Sequence, residues 1–529
     1  MSSSTGPSPL FVPLNPSPRL VAQMTGLSLR QSELEVSQQI NLKRMLRRIR
    51  ASRRMALSGS PRSLRHRHRK PVMPTLQLPG ALVPDHSEDA DEWRDEEASV
   101  ERMDIFMDIS DDPRPSELHE RAARLFNQVF APEPAVRGSQ VRVRRLSGAM
   151  TNCVFMMTID PVPSVPSSRA PKMLMSTRQY AKGSGHTGKH TTPLPKKYLL
   201  RVYGTGVDEF LSRTKELYWL SQLTSLGFGP QLYGIFGNGR LEEFLESTTL
   251  TKDDIRHPST SKHIARRMCE LHSLVSYYRP YGDVGASSHP GVDLSGRPEL
   301  WANVDSWLRL VHNKWSLIRR TCDANPQCAE ILDNWPRLEQ AAARLRRYIG
   351  RANAPVVFAH DDLQYGNILR LEHTGELVVV DFEYAGYNYR GFDIANHFCE
   401  WTADYHHPDH PHLLNESLYP DVTQREGFLR TYVKAKAFLD ANMRADAEVV
   451  ESDSDRLVDL RAIRLSEDRI RDEVAALDRE VAFFVPASHL HWGIWGLLQA
   501  CSSEIDFDYV GYAAQRLSIF LRQVADLEE

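Results

Sequence analysis

The chain has 529 residues, with 65 Lys and Arg against 68 Asp and Glu, a formal net charge of -3. That near balance withholds the positive field that general nucleic-acid binding needs, and 41% hydrophobic with 25% charged residues is globular rather than disordered or membrane composition. The length exceeds what one core usually organises, which predicts two lobes with peripheral segments.

Residues 1–114 differ from the rest. Ser and Pro dominate the start, a basic run follows (LKRMLRRIRASRR, then RSLRHRHRK), and the acidic HSEDADEWRDEE closes the segment. Such blocks rarely fold alone, so a disordered N-terminal extension is expected. Within it Leu42, Leu46 and Ile49 line one stripe of a basic segment, which fits weak contact with an anionic membrane as well as a plain solvated tail. The start has no charged region followed by an apolar run, and no uninterrupted apolar stretch reaches bilayer-spanning length. The six cysteines, Cys153, Cys269, Cys322, Cys328, Cys399 and Cys501, form no C-x-x-C pair, so the expected location is a reducing cytoplasm.

Helical pattern begins near Ser116, an N-cap candidate ahead of ERAARLFNQVF, which places the domain start at 115. VRVRRLSGAMTNCVFMMTI predicts two strands joined by a small-residue turn, and KYLLRVYG a third strand. A polar insertion at 161–197 separates them. SRTKELYWLSQLTSLG has helical period, and PQLYGIF and GRLEEFL predict two more strands, completing a small β-rich lobe over 115–245. From 246 to 529 helices dominate, among them HIARRMCELHSLV, VDSWLRLVHNKW and WPRLEQAAARLRRYI, with the strands PVVFAH and ELVVVDF between them. A charge-rich stretch at 444–478 reads as an insertion, helical in part. The expected class is therefore α+β, a small β-rich N-lobe followed by a large, mostly helical C-lobe.

The chemistry concentrates in His360-Asp361-Asp362-Leu363-Gln364-Tyr365-Gly366-Asn367, followed by an apolar strand that ends at Asp381. A strand, a loop with Asp and then Asn five residues on, and a second strand ending in Asp is the arrangement of kinase catalytic centres. Phosphoryl transfer needs a carboxylate to receive or orient the attacking hydroxyl, and Asp362 is placed for it, with Gln364 beside it as a second catalytic candidate. Mg2+ prefers oxygen ligands, which Asn367 and Asp381 supply. Two other patterns carry less. Gly183-Ser184-Gly185-His186-Thr187-Gly188-Lys189 imitates the first part of a phosphate loop, but His190 stands where Ser or Thr should hold the metal and no buried strand precedes it. His406, His407, His410 and His412 are interrupted by Pro408 and Pro411 and show no ordered ligand spacing.

HDDLQYGNIL and VVVDFEYAGYNYRGFDIANHFCEW resemble the two signature blocks of choline and ethanolamine kinases, and the resemblance extends over roughly residues 115–529. It implies a two-lobed protein-kinase-like fold, use of ATP and Mg2+, phosphorylation of choline as the first step toward phosphatidylcholine, with an ethanolamine kinase or a non-catalytic kinase-fold scaffold as the alternatives, and a homodimer. Asp361 departs from the family pattern, which usually has Asn there. By the same resemblance Ser147, Gly148, Ala149, Met150, Thr151 and Asn152 form the phosphate-facing turn. Arg201 clamps phosphate from the position of the kinase strand lysine, and Glu216 pairs with Arg201. Glu243 to Leu245 form the hinge that meets adenine.

A quaternary ammonium donates no N–H bonds, so its site uses aromatic faces and carboxylates, each aromatic contact worth roughly 0.5–2 kcal/mol. Tyr384, Glu400 and Tyr405 follow Asp381, while Trp492 with Trp495 and Tyr509 with Tyr512 repeat at three-residue helical spacing. The family register assigns these seven to the choline pocket.

Overall fold

Strand β6, Lys197–Tyr203, shows why the first lobe is a sheet. Tyr198, Leu200 and Val202 alternate along it and are wholly buried, so one face of the strand belongs to a core. The computed structural model describes residues 102–103, 105–107, 115–146, 152–166, 191–203, 212–226, 228–275, 297–448, 465–503 and 505–527. Around β6 are β1 (Arg102–Met103), β2 (Val141–Leu146), β3 (Asn152–Ile159), β7 (Leu232–Phe236) and β8 (Gly239–Glu243). Their order in the sheet is β1-β7-β8-β6-β3-β2, antiparallel except for the β1–β7 pair. Helix α1, Pro115–Phe130, lays Leu118, Ala122, Leu125 and Phe126 against the buried face of the sheet. Helix α2, Arg213–Leu226, instead sends Trp219, Leu220 and Leu223 into the core of the second lobe and so bridges the two.

The expected start at 115 is too late. Arg102–Met103 adds an edge strand beside Ile235 and Phe236, and Met103 and Met107 join the small-lobe core. Two apolar residues at an edge give no periodic signal. The insertion expected at 161–197 has structured ends: β4 (Ser164–Pro166) pairs with β5 (Thr191–Pro193), and Lys197 already belongs to β6. Residues 167–190, with the phosphate-loop imitation, lie outside the described residues, as does the basic stripe at 42–49.

The second lobe holds two small β units. β9 (Ser247–Thr249), β11 (Ile368–Leu371) and β12 (Leu377–Val379) form one, and β10 (Val356–Ala359) with β13 (Gly386–Tyr389) the other. Helices follow in chain order: α3 Lys252–Arg256, α4 Pro258–Glu270, α5 Glu299–Asn313, α6 Trp315–Cys322, α7 Pro326–Asp333, α8 Trp335–Arg351, α9 Arg390–Glu400, α10 Val422–Glu448, α11 Glu467–Gln499 and α12 Tyr509–Ala525. The charged stretch at 444–478 is not a separate insertion where it is described. Residues 444–448 end α10, and 467–478 open α11, where Ile470, Val474 and Leu477 are buried. Their spacing of three and four residues makes a core stripe that the surrounding charges masked. By length and composition α11 could cross a membrane, but 83% of its most apolar stretch is packed inside the protein, as in a core helix.

Candidate active site

Chain direction reverses sharply after β10, and Asp361 takes a left-handed φ of +65°, a conformation an L side chain adopts only when its surroundings enforce it. The enforcing group is Asp393 on α9, whose carboxylate accepts the backbone N–H of His360 at 3.0 Å and of Asp361 at 2.8 Å. Burial works against its charge, yet the bond from His272 Nε2 at 2.8 Å and the backbone N–H of His360 hold its carboxyl below the usual range. Asp361 Oδ2 accepts from Asn388 at 3.0 Å. Burial and the Asp393 charge push the Asp361 carboxyl well up, toward the neutral form that an Asn in its place would resemble.

Asp362 follows. Asn367 Nδ2 donates both to its backbone oxygen at 2.9 Å and to Oδ2 at 2.8 Å, closing the loop onto itself. Burial, then the charges of Glu400, Asp381 and Glu383, push the Asp362 carboxyl well above its ordinary range, with the Asn367 bond opposing. His360 Nε2 donates to the Val380 carbonyl at 3.1 Å and its Nδ1 accepts the Asp362 N–H at 3.3 Å, which fixes a neutral imidazole. Gln364 turns back on the loop and accepts the Gly366 N–H at 2.6 Å, so it shapes the turn that presents Asn367.

Asp381 stands at the far end of β12 with a φ of +68°. Its Oδ2 is 3.5 Å from Arg201 Nη1, and its buried Oδ1 has no hydrogen-bond partner among the described residues. Oxygens of Glu216, Asp381 and Glu383 lie within 4.8 Å of one another. Burial, then Asp381 and Glu216, push the Glu383 carboxyl up to about 8. Three converging carboxylates with an unbonded buried oxygen fit a hard divalent cation.

The expected Arg201–Glu216 pair is not made. Glu216 binds Arg240 at 2.6 Å and Arg213 at 3.0 Å, while Arg201 faces Asp381 and, at 3.8 Å, Glu242. The cause is register: Arg240 on β8 lies directly across from Arg201 on β6 and takes the Glu216 carboxylate, while the two guanidiniums share Glu242. Arg201 is left pointing at Asp381, where it can meet a phosphate oxygen.

Glu243 and Leu245 sit where the chain passes between lobes. Glu243 N–H donates to the Gln231 carbonyl at 2.8 Å, and Leu245 packs on Leu371 and Val378 of the second lobe. Ser147, Gly148, Ala149, Met150 and Thr151 lie outside the described residues; Asn152 begins β3 opposite Tyr203.

The seven residues assigned to the substrate pocket do assemble. Trp492 meets Tyr384 edge-on at 5.1 Å and Trp495 at 5.4 Å, and Trp495 meets Tyr509 at 5.7 Å and Tyr512 at 6.2 Å. Trp495 Nε1 donates to Tyr384 Oη at 2.8 Å. Glu400 Oε2 accepts from Tyr405 at 2.7 Å, and Oε1 from buried Arg516 at 2.7 Å. Sequence reading missed Arg516, Glu383, Asp393 and His272. For Glu383 the signal was present, two residues beyond Asp381; the others sit on distant helices and needed the fold.

Two lobes meeting at a loop that carries Asp362 and Asn367, with Asp381 at the end of the strand that follows, define a phosphotransferase of the protein-kinase-like class. The choline/ethanolamine kinase family model matches residues 143–521, and the chain belongs to that family of enzymes. It is 33% identical over 384 residues to "Probable choline kinase 2" of Arabidopsis thaliana, covering 73% of this chain and 86% of that one. It is 29% identical over 461 residues to the choline kinase of Schizosaccharomyces pombe, covering 78% and 88%. A solved ethanolamine kinase of Plasmodium vivax shares the fold, with a TM-score of 0.52 at 21% identity over 78% of this chain and 95% of that one.

Proposed function

We propose that the protein transfers the γ-phosphoryl group of ATP to the hydroxyl of choline, giving phosphocholine and ADP. The observation that carries the choice of choline is the state of Glu400. Each of its oxygens already accepts one bond, from Arg516 and from Tyr405, so half of its acceptor capacity is spent and aromatic faces make up most of the pocket. A primary ammonium such as that of ethanolamine must replace its hydration with acceptors, whereas a trimethylammonium needs only faces.

Asp362 accepts the proton of the choline hydroxyl as its oxygen forms the bond to the γ-phosphorus and the bond to the β-phosphate oxygen breaks. A carboxyl whose pKa burial raises is a stronger proton acceptor once ionised. Arg201 steadies phosphate oxygens. Mg2+ would be held by Asp381 and by the Asn367 carbonyl, whose amide nitrogen is committed to Asp362, with Glu216 and Glu383 behind them; it supplies neutralisation of phosphate charge. A cytoplasmic location is supported by six cysteines that all remain unpaired. The reaction is tested by 31P NMR of the full chain with Mg2+-ATP and choline. A choline-dependent phosphomonoester resonance rising with ADP is expected; ADP without that resonance refutes the transfer.

A further inference from the structure

Asn396, wholly buried on α9, joins the two halves of the site. Its Nδ2 donates to the Asp361 carbonyl at 3.1 Å, one residue before Asp362. Its Oδ1 accepts the Trp492 indole N–H at 2.8 Å and the Ser488 hydroxyl at 2.8 Å. The orientation of the amide is settled by its partners, since an indole N–H only donates and a carbonyl only accepts. One turn earlier on the same helix face Asp393 holds the N–H of the same Asp361. The catalytic loop is thus gripped on both sides of Asp361, and one of the two grips also sets the plane of an aromatic wall.

We infer that Asn396 is a positioning residue that couples the ammonium pocket to the catalytic loop: the register of Trp492 and the placement of Asp362 are set by one buried amide. The inference rests on the choline reading, because only a substrate seated on the aromatic wall feels both ends of the coupling. In a site where every partner is buried, losing this amide leaves the indole N–H and the Asp361 carbonyl without their bonds, and each group relaxes separately.

The test compares wild type, Asn396→Ala, Trp492→Phe and the double variant in steady-state kinetics with choline and with ATP. Asn396→Ala is expected to lower kcat at least tenfold and to raise the choline KM at least threefold, leaving the ATP KM within twofold. Trp492→Phe keeps an aromatic face but loses the indole N–H together with the five-membered ring, and it is expected to raise the choline KM with kcat nearly kept. In the double variant the choline KM should stay at the Asn396→Ala value. Multiplying effects, a choline kcat/KM within twofold of wild type, or an equal rise in the ATP KM would each overturn the coupling. Should Asn396→Ala fail to fold, Ser488→Ala removes a bond to the same oxygen without touching either substrate, and an unchanged choline KM would overturn it as well. A wild type with no choline-dependent turnover refutes the substrate reading itself, and the coupling with it; a normal wild type with unaffected variants refutes the coupling alone.

Discussion

Asp362 and Asp381 are both acidic, but their surroundings give them different work. Asp362 is bonded by Asn367 and pushed toward the neutral form, whereas Asp381 keeps a bare buried oxygen beside Arg201. Asp362→Ala should lower turnover by about 10²- to 10⁴-fold, the range of a lost general base, with an unchanged melting temperature, and normal turnover would remove its role. The sign of the pH dependence follows. A carboxyl with a raised pKa is protonated, and unable to accept the hydroxyl proton, below that pKa; activity is lost as pH falls through it. The acid limb of kcat should lie above the ordinary carboxylate value of about 4, and should move down as free Mg2+ offsets the Asp381 and Glu383 charges. A pH–rate series at two Mg2+ concentrations checks both. Residue types and spacing revealed Asp362, Asn367 and Asp381 because catalytic loops are local in sequence. Arg201 and Glu216 were found but mispaired, since the competing Arg240 is set against Arg201 by strand register, which composition does not show.

At the scale of elements, α9, α11 and α12 bring together five of the seven residues assigned to the substrate pocket, Glu400, Trp492, Trp495, Tyr509 and Tyr512. Gly493 and Gly496 on α11 let α12 approach: a Cβ at Gly493 would come within 2.7 Å of Leu517 Cγ, and one at Gly496 within 3.1 Å of Ala513 Cβ. Both glycines lie among Trp492, Trp495 and the facing Tyr512, so helix separation and ring placement are one property. Gly493→Val should destabilise by about 1–3 kcal/mol through overpacking and should raise the choline KM more than the ATP KM; denaturant unfolding and kinetics on one preparation test this. The helical periods of α2, α5 and α8 and the strands β2, β3, β6, β7 and β8 were legible from patterning. Elements that lean on a neighbour for their signal were not. The β1 edge strand is two residues long, and the first turns of α11 hide an apolar stripe within a charged segment.

Among the described residues the lobes meet through the packing of α2 and through ion pairs, Lys215–Glu299 at 2.7 Å, Arg213–Glu383 at 3.7 Å and the Arg201–Asp381 contact at 3.5 Å. A nucleotide with its cation would replace the last of these contacts with bonds to both lobes. Mg2+-ADP at about a hundred times its Kd should therefore stabilise the fold by about 2.7 kcal/mol, read as a rise in melting temperature. EDTA, or Asp381→Asn with Mg2+ present, should remove most of the rise; a shift indifferent to both would argue against the Glu216, Asp381 and Glu383 cluster as the cation site. The two-lobed plan, with its catalytic loop and aromatic pocket in the second lobe, was legible from the resemblance of two sequence blocks, whereas the bridging of the lobes by α2 through Trp219 appears only in the packing.

The most direct test of the central claim is the initial rate of ADP formation by the full chain with Mg2+-ATP and choline, ethanolamine or no acceptor under identical conditions. A pocket of aromatic faces with an already engaged Glu400 predicts the highest kcat/KM for choline, a lower value for ethanolamine and little rate without acceptor. A preference for ethanolamine, or a rate that ignores the acceptor, would contradict it.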